Sequence, residues 1–483
     1  MAKIEEEVRG MNHQNIHVDL PTRRRFLQQA GMGLGSLALA SLLHEQADGQ
    51  QARTHHVPKV RSVIWLFMTG GPSQVDTFDY KPELQRRNGQ ALAGADPRTG
   101  FFETSGRCLA SPFRWAQHGQ SGSWVSELLP QTAKHVDDMA FLHSCYSLQN
   151  NHAPASIEIM TGVNRPGYPS MGSWITYGLG TMNENLPSFV VMHETKPRGD
   201  DNIWTPGFLP KSYQPLTLDA RQREQIANLN RAPGMSEAQQ RSQLDLLREL
   251  NQEHQQTRTQ EADLAARIQS FELAYRMQSA APEALDLRQE SAAIQNMYGM
   301  NRPESVTFGR QCLLARRLVE RNVRFVQIFF TTPRISGGAV NDVPWDGHND
   351  INVNHRDCAV SVDQPVGALL TDLKSRGLLD STLVVWGGEF GRTSDSQGAV
   401  GRDHNPHAHT IWMAGGGIRG GVHYGATDDF GYKAVHNRTS VHDIQATVLH
   451  LLGLDHTRLT YRFNGRDFRL TDVAGNVIRD VLA

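Results

Sequence analysis

Val60-Arg61-Ser62-Val63-Ile64-Trp65-Leu66-Phe67-Met68 is a largely apolar run, and Thr69-Gly70-Gly71-Pro72 stops it at once. A short run of this kind, without polar alternation, is predicted to be a strand buried on both faces, the first of a parallel sheet. Similar runs recur at Ser188 to Met192, Val323 to Phe330 and Thr382 to Trp386, with helix-like stretches such as Phe308 to Glu320 and Pro365 to Ser375 between them. That alternation predicts a doubly wound, mostly parallel α/β sheet. Ligands bind such sheets at the carboxyl ends of the strands, so chemistry is expected in the loops that follow the runs.

The 483 residues suffice for two or three domain-sized units or for one large α/β domain. With 39% hydrophobic and 20% charged residues and a mean hydropathy of -0.47, the composition is that of a soluble globular protein, not of a multispanning membrane protein or a disordered chain. Lys and Arg number 48 against 50 Asp and Glu, so the charge balance offers no reason to expect nucleic acid as a partner. Cys108, Cys145, Cys312 and Cys358 have no C-x-x-C spacing, which removes a zinc ribbon, a redox pair of that type and a disulfide scaffold. The histidines, 21 of them, are the unusual count.

Near the start, Thr22-Arg23-Arg24-Arg25-Phe26-Leu27-Gln28 precedes a weakly apolar run from Ala30 to Leu43. This is the order of a twin-arginine signal, with Ala38-Leu39-Ala40 as a small-x-small cleavage site. The apolar run is shorter than the roughly 20 residues a spanning helix needs, so no permanent membrane span is expected. The alternative is a basic arm with an amphipathic helix. The signal reading makes residues 1–50 a signal and linker and the twin-arginine translocase a partner during export, with a periplasmic or otherwise exported location. Residues 57–483 are then the α/β domain, with a helical insertion between about Asp219 and Ser291, where Gln, Glu, Arg, Leu and Ala dominate and Leu244, Leu247 and Leu250 fall at helical spacing.

Four loops carry candidate chemistry. After the first strand come Asp76 and Asp79, placed for a site, although either could instead cap the next helix. Ser73 lacks the G-x-S-x-G context of a hydrolase nucleophile, since Val75 takes the last Gly position. Asn150 to Gly162 reads as a loop entering a helix that Gly162 closes, and a helix N-terminus attracts anions. Trp345-Asp346-Gly347-His348-Asn349-Asp350, with His355 beyond, offers a carboxylate and an imidazole at one-residue spacing, a pair that zinc accepts. An exposed polar loop is the alternative. The densest patch is Gly401-Arg402-Asp403-His404-Asn405-Pro406-His407-Ala408-His409, after Gly387-Gly388-Glu389-Phe390-Gly391-Arg392-Thr393. His407 and His409 share parity and face one way if they begin a strand. Gly415 to Gly420 satisfies G-x-G-x-x-G but precedes a strand-like Val422-His423-Tyr424, so it is read as a turn.

In order and spacing these segments resemble the alkaline phosphatase and sulfatase superfamily. Ser440 to Leu454, with Asp443-Ile444, Thr447 and Leu451-Leu452-Gly453-Leu454, is similar to the terminal helix of sulfatases. The Gly70 to Asp79 loop, Trp345-Asp346-x-His348, Gly388-Glu389-Phe390-Gly391-Arg392-Thr393 and His409 to Ile418 resemble the exported family called domain of unknown function 1501. The resemblance implies an alkaline phosphatase-type sheet and a metal-dependent hydrolase of phosphate or sulfate esters. His152 stands where sulfatases place their Cys nucleophile, and Thr69 and Glu389-Phe390 replace an expected Asp and an Asp-His or Asp-Asn pair. A two-metal site is therefore not expected. One divalent cation, zinc or calcium, is expected on ligands drawn from Asp346, His348, Glu389, His404, His407 and His409, with Asp76, Asp79 and Asp403 as further site candidates. His152 or an activated water is expected in the attacking position. The alternative is a degenerate relative that binds an anionic ester or glycan, or serves as an accessory factor.

Overall fold

The first strand, β1 (Ser62–Met68), lies in the middle of a nine-stranded sheet with every residue buried. The other strands, in chain order, are β2 (Met139–Tyr146), β3 (Phe189–His193), β4 (Leu216–Asp219), β5 (Phe325–Phe330), β6 (Thr382–Gly387), β7 (His409–Gly415), β8 (Val422–Tyr424) and β9 (Thr439–Ser440). Across the sheet they run β8-β2-β7-β6-β1-β5-β3-β4, and β9 also pairs with β2. Val63 pairs with Phe325 on one side and Leu383 on the other, both parallel. Only β7 is reversed, antiparallel to both β6 and β2. This is an α/β fold with a mixed, mostly parallel sheet.

The computed structural model describes residues 54–96, 98–219, 231, 234–257, 262–331 and 343–483. The twin-arginine segment and its cleavage site lie outside the described residues.

A central strand can be apolar along its whole length because helices cover both faces. Ile64, Leu66 and Met68 share one cluster with buried residues of a helix at Val306–Glu320 and another at Ile351–Ser375. The latter begins well before Pro365, where the sequence pattern placed its start. Asp350 caps it, its carboxylate accepting the N–H groups of Asn352 and Val353, and Pro365 is carried inside the helix. His355 is thereby a buried helical residue rather than part of a polar loop. The helix at His152–Thr161 starts on the Asn151 cap and closes at Gly162, whose φ of 76° is left-handed. Ser440 and Asp443 form a capping box for the helix at Val441–Leu451. Gly415 ends β7 and leads by a turn into β8.

The stretch between Asp219 and Ser291 contains helices at Glu237–Thr257 and Ala262–Leu285. They differ in environment. Leu246, Leu247 and Leu250 of the first are exposed, while Met277, Ala281 and Ala284 of the second belong to the main core cluster.

Candidate metal centre

Thr69, the last position before the turn, donates its hydroxyl to the Phe330 carbonyl of β5 and accepts the Trp345 N–H on its own carbonyl, at 3.1 Å. The chain then passes so close to the Asp346 loop that a Cβ on Gly70 would lie 2.8 Å from the backbone nitrogens of Trp345 and Asp346. With φ at 104°, position 70 needs glycine on both counts. This contact places Asp346 over the carboxyl ends of the central strands.

Three imidazoles converge there. Asp346 Oδ1 lies 2.8 Å from His348 Nε2, 3.2 Å from His404 Nε2 and 3.4 Å from His152 Nε2. His348 Nε2 and His404 Nε2 are 3.0 Å apart. The far nitrogen of each ring is already engaged. His152 Nδ1 is 2.5 Å from Glu389 Oε1, His404 Nδ1 is 2.6 Å from the Asn150 carbonyl, and His348 Nδ1 meets the Gln397 side-chain oxygen. All three partners are accepting oxygens, so each Nδ1 is the donor and each ring turns its Nε2 toward the Asp346 carboxylate.

Lone pairs facing one another across about 3 Å repel unless a proton or a cation lies among them. Burial pushes the pKa of His404 down to about 3, so that ring is neutral. Burial also works against a charged His152, but Asp346 and Glu389 outweigh it and raise its pKa. The raised value is the proton's answer to the same crowding of lone pairs. Burial pushes the Asp346 carboxyl up, yet Arg392 and the three histidines hold it well below the usual carboxylate range. One ligand atom each from His152, Asp346 and His404 lie within 4.8 Å of one another, as do those of His348, Asp403 and His404. A cation site with imidazole nitrogens and one carboxylate fits this donor set.

Glu389 stands behind the centre. It is fully buried, accepts the Gly70 N–H at 2.9 Å and holds His152, the arrangement by which a carboxylate orients a metal-binding imidazole. Its other oxygen has no hydrogen-bond partner among the described residues. Arg392 is equally buried and donates to the Gly70, Gly71 and Arg402 carbonyls and to Asp346 Oδ1, the last at 2.6 Å.

A family model described as Protein of unknown function (DUF1501) matches residues 60–482. The chain belongs to that family. No curated protein matches the chain in sequence. The fold of this DUF1501 protein is distantly similar to solved structures. The lipoteichoic acid synthase LtaP from Listeria monocytogenes is 10% identical, with 88% of this chain and 79% of that one covered, at a TM-score of 0.38. The PsFucS1 sulfatase from Pseudoalteromonas sp. is 13% identical over 87% and 71%, at 0.35. The alkaline phosphatase of the Antarctic bacterium TAB5 is 9% identical over 83% and 99%, at 0.34.

The remaining sequence candidates of the DUF1501 chain lie elsewhere or act differently. Asp403 accepts the N–H groups of His404 and Phe102 and lies 3.6 Å from His348 Nδ1, beside the centre. His407 precedes β7 half-buried, and His409, the first residue of β7, is fully buried with neither ring nitrogen hydrogen-bonded among the described residues. Neither joins the three converging imidazoles. Asp76 is enclosed by Arg402 and Ser73, and Asp79 by Lys81 and Thr427. The sequence pattern did not single out Asn150 or Gln397 as ligand-orienting residues, because neither residue type signals a site alone.

Proposed function

We propose that this DUF1501 protein is an exported, metal-dependent hydrolase of phosphate or sulfate esters built around one divalent cation. The convergence of His152, His348 and His404 Nε2 on Asp346 Oδ1 carries the reading. These four residues would hold the cation, and a bound cation would supply Lewis-acid polarisation of an ester oxygen and activation of a water. Zinc suits three imidazoles and a carboxylate, whereas calcium calls for an oxygen shell. Charge supports a single ion, because Asp346, Glu389 and Asp403 against Arg392 leave two negative charges. Glu389, Asn150 and Gln397 fix the ring tautomers, and Arg392 keeps Asp346 ionised. His152 cannot both ligate and attack, since both roles use the same Nε2. The ester class is supported by the sequence resemblance to sulfatases at Ser440 to Leu454 and by the helix N-terminus at His152, which favours an anion.

One observation favours a second reading, a protein that binds an anionic ester or glycan without turnover. None of His152, Asp346, His348, Glu389, Asp403 and His404 carries a hydroxyl or thiol nucleophile. Elemental analysis of untagged protein, followed by aryl phosphate and aryl sulfate panels, separates the two. Metal with turnover that Asp346→Ala removes supports the hydrolase, binding without turnover supports the second, and absence of metal defeats the hydrolase and leaves the second. Export rests on the Arg23-Arg24 pair. No helix among the described residues is long and apolar enough to cross a membrane. Replacing both arginines by lysine should retain the precursor in the cytoplasm, as followed by cell fractionation.

A further inference from the structure

Two adjacent phenylalanines stand at the rim of the centre with about half their surface in solvent, Phe101 at 50% and Phe102 at 49%. Isolated exposed hydrophobics are ordinary, but these two rings touch the histidines of the centre. Phe101 lies 5.8 Å from the His404 ring and Phe102 lies 5.1 Å from the His348 ring, centroid to centroid. The two phenyl rings are 5.0 Å apart at 79°, which makes an open corner with one face on each side.

Their loop is held in place. The Phe102 N–H donates to Asp403 Oδ2 at 2.6 Å, and Asn150 Nδ2 donates to the Gly100 carbonyl at 2.8 Å. Thr104 Oγ1 donates to Asp395 at 2.5 Å, and the Ser105 N–H donates to the Ser396 carbonyl at 2.8 Å. Gly100 packs so closely that a Cβ there would lie 1.9 Å from Asp403 Oδ2. Asn150 joins the two regions, since its side chain holds this loop while its carbonyl holds His404. The chain thus fixes two large apolar faces toward solvent beside a polar centre, an arrangement suited to a ligand that is apolar at one end and anionic at the other.

We infer that Phe101 and Phe102 form a ring-binding subsite, and that the ester taken by the centre carries a ring on its alcohol side, stacked in this corner. The inference rests on the anion-binding reading above. Calorimetry on full-length, zinc-loaded protein tests it with phenylphosphonate, methylphosphonate, glucose 6-sulfate and inorganic sulfate. Phenylphosphonate should bind about tenfold more tightly than methylphosphonate. The double variant Phe101→Ala, Phe102→Ala should lose that ratio while keeping its zinc content, its melting temperature and its methylphosphonate affinity. A preference for glucose 6-sulfate over sulfate, lost in the same variant, would mark a sugar ring as an accepted form, and its absence would confine the subsite to planar rings. Equal wild-type affinity for the two phosphonates overturns the subsite and leaves anion binding standing. No affinity for any of the four overturns both. An equal loss of both phosphonates in the variant, or loss of its zinc, would make the rings a cover for the histidines and overturn the subsite.

Discussion

Two buried polar clusters lie side by side at the carboxyl end of β1, and they are built in opposite ways. Around Asp76 every group is satisfied within the protein. Ser73 Oγ and the Arg402 guanidinium donate to its carboxylate, and Arg402 spends its other N–H groups on the Thr393 and Leu109 carbonyls. His355 accepts the Ser73 N–H at 2.9 Å and faces the Asn354 side-chain oxygen at 3.0 Å. Burial raises the Asp76 pKa, but Arg402 prevails and the carboxyl ends below its ordinary value. Around Asp346, by contrast, three Nε2 atoms crowd one carboxylate oxygen. A saturated cluster holds the fold, and a cluster whose ring nitrogens crowd one oxygen has a place for a cation. Counting His and Asp along the chain does not distinguish them, whereas tracing each ring's second nitrogen does.

The comparison breaks most sharply at Asp76. Asp76→Ala leaves the Arg402 charge buried without its partner, which costs about 3–5 kcal/mol. Thermal melts should show the variant strongly destabilised to the same extent with and without chelator, because the loss lies in the saturated cluster.

Removing metal tests the other side. Holo protein should be more stable than chelator-treated protein by roughly 2.7 kcal/mol at a hundredfold excess of metal over Kd, read as a melting shift. Asp346→Ala and His348→Ala should each abolish that shift. His423→Ala should keep it, since His423 lies on the edge strand β8 and bonds to Ser123 and to His143 of β2, not to the centre. Identical melts for wild-type protein with and without chelator would remove the distinction between the clusters.

His409 sharpens the contrast, since it is buried like a ligand but neither ring nitrogen has a hydrogen-bond partner among the described residues. Burial lowers its pKa to about 3, against 6.5 for an unperturbed ring. Between those values the unfolded chain binds the extra proton, so stability is lost as pH falls below about 6.5, by about 2 kcal/mol at pH 5. His409→Leu should remove that share of the acid destabilisation. Denaturant melts of the two proteins at pH 7 and pH 5 give the difference directly.

The smallest effect is expected at Glu389. Glu389→Gln keeps the size of the residue that orients His152 but removes its charge, and metal affinity should fall at least about tenfold, near 1.4 kcal/mol, with little change in the apo melt. A competition titration with a chromophoric chelator measures it.

Much of this architecture is legible in the sequence, for local reasons. Central strands such as Ser62–Met68 announce themselves because burial on both faces leaves them no polar positions. Asp346, His348 and His404 are legible as donors because their loops follow strands. The partners that decide their chemistry are not, because they are remote in the chain. Asn150 and His404 are 254 residues apart, and Asp76 and Arg402 are 326 apart. Parity suggested that His407 and His409 act together, but β7 begins only at His409, so the alternation does not extend to His407. Glu389 was legible as an acid near the site, and only the fold shows it behind His152.

The reversal of β7 has a consequence for engineering. Because β7 runs against β6, the chain leaves and re-enters the sheet on one rim, with no crossover to the far edge. Arg392, Gln397, Arg402, Asp403 and His404 therefore travel in a single cassette with neighbouring ends. Its tip is exposed at Gly398 and Ala399, and a Cβ built on Gly398 meets no atom within 4 Å. A reporter peptide inserted there extends outward from the rim, one residue from the glutamine that holds His348, and its signal can follow occupancy of the centre without touching the sheet.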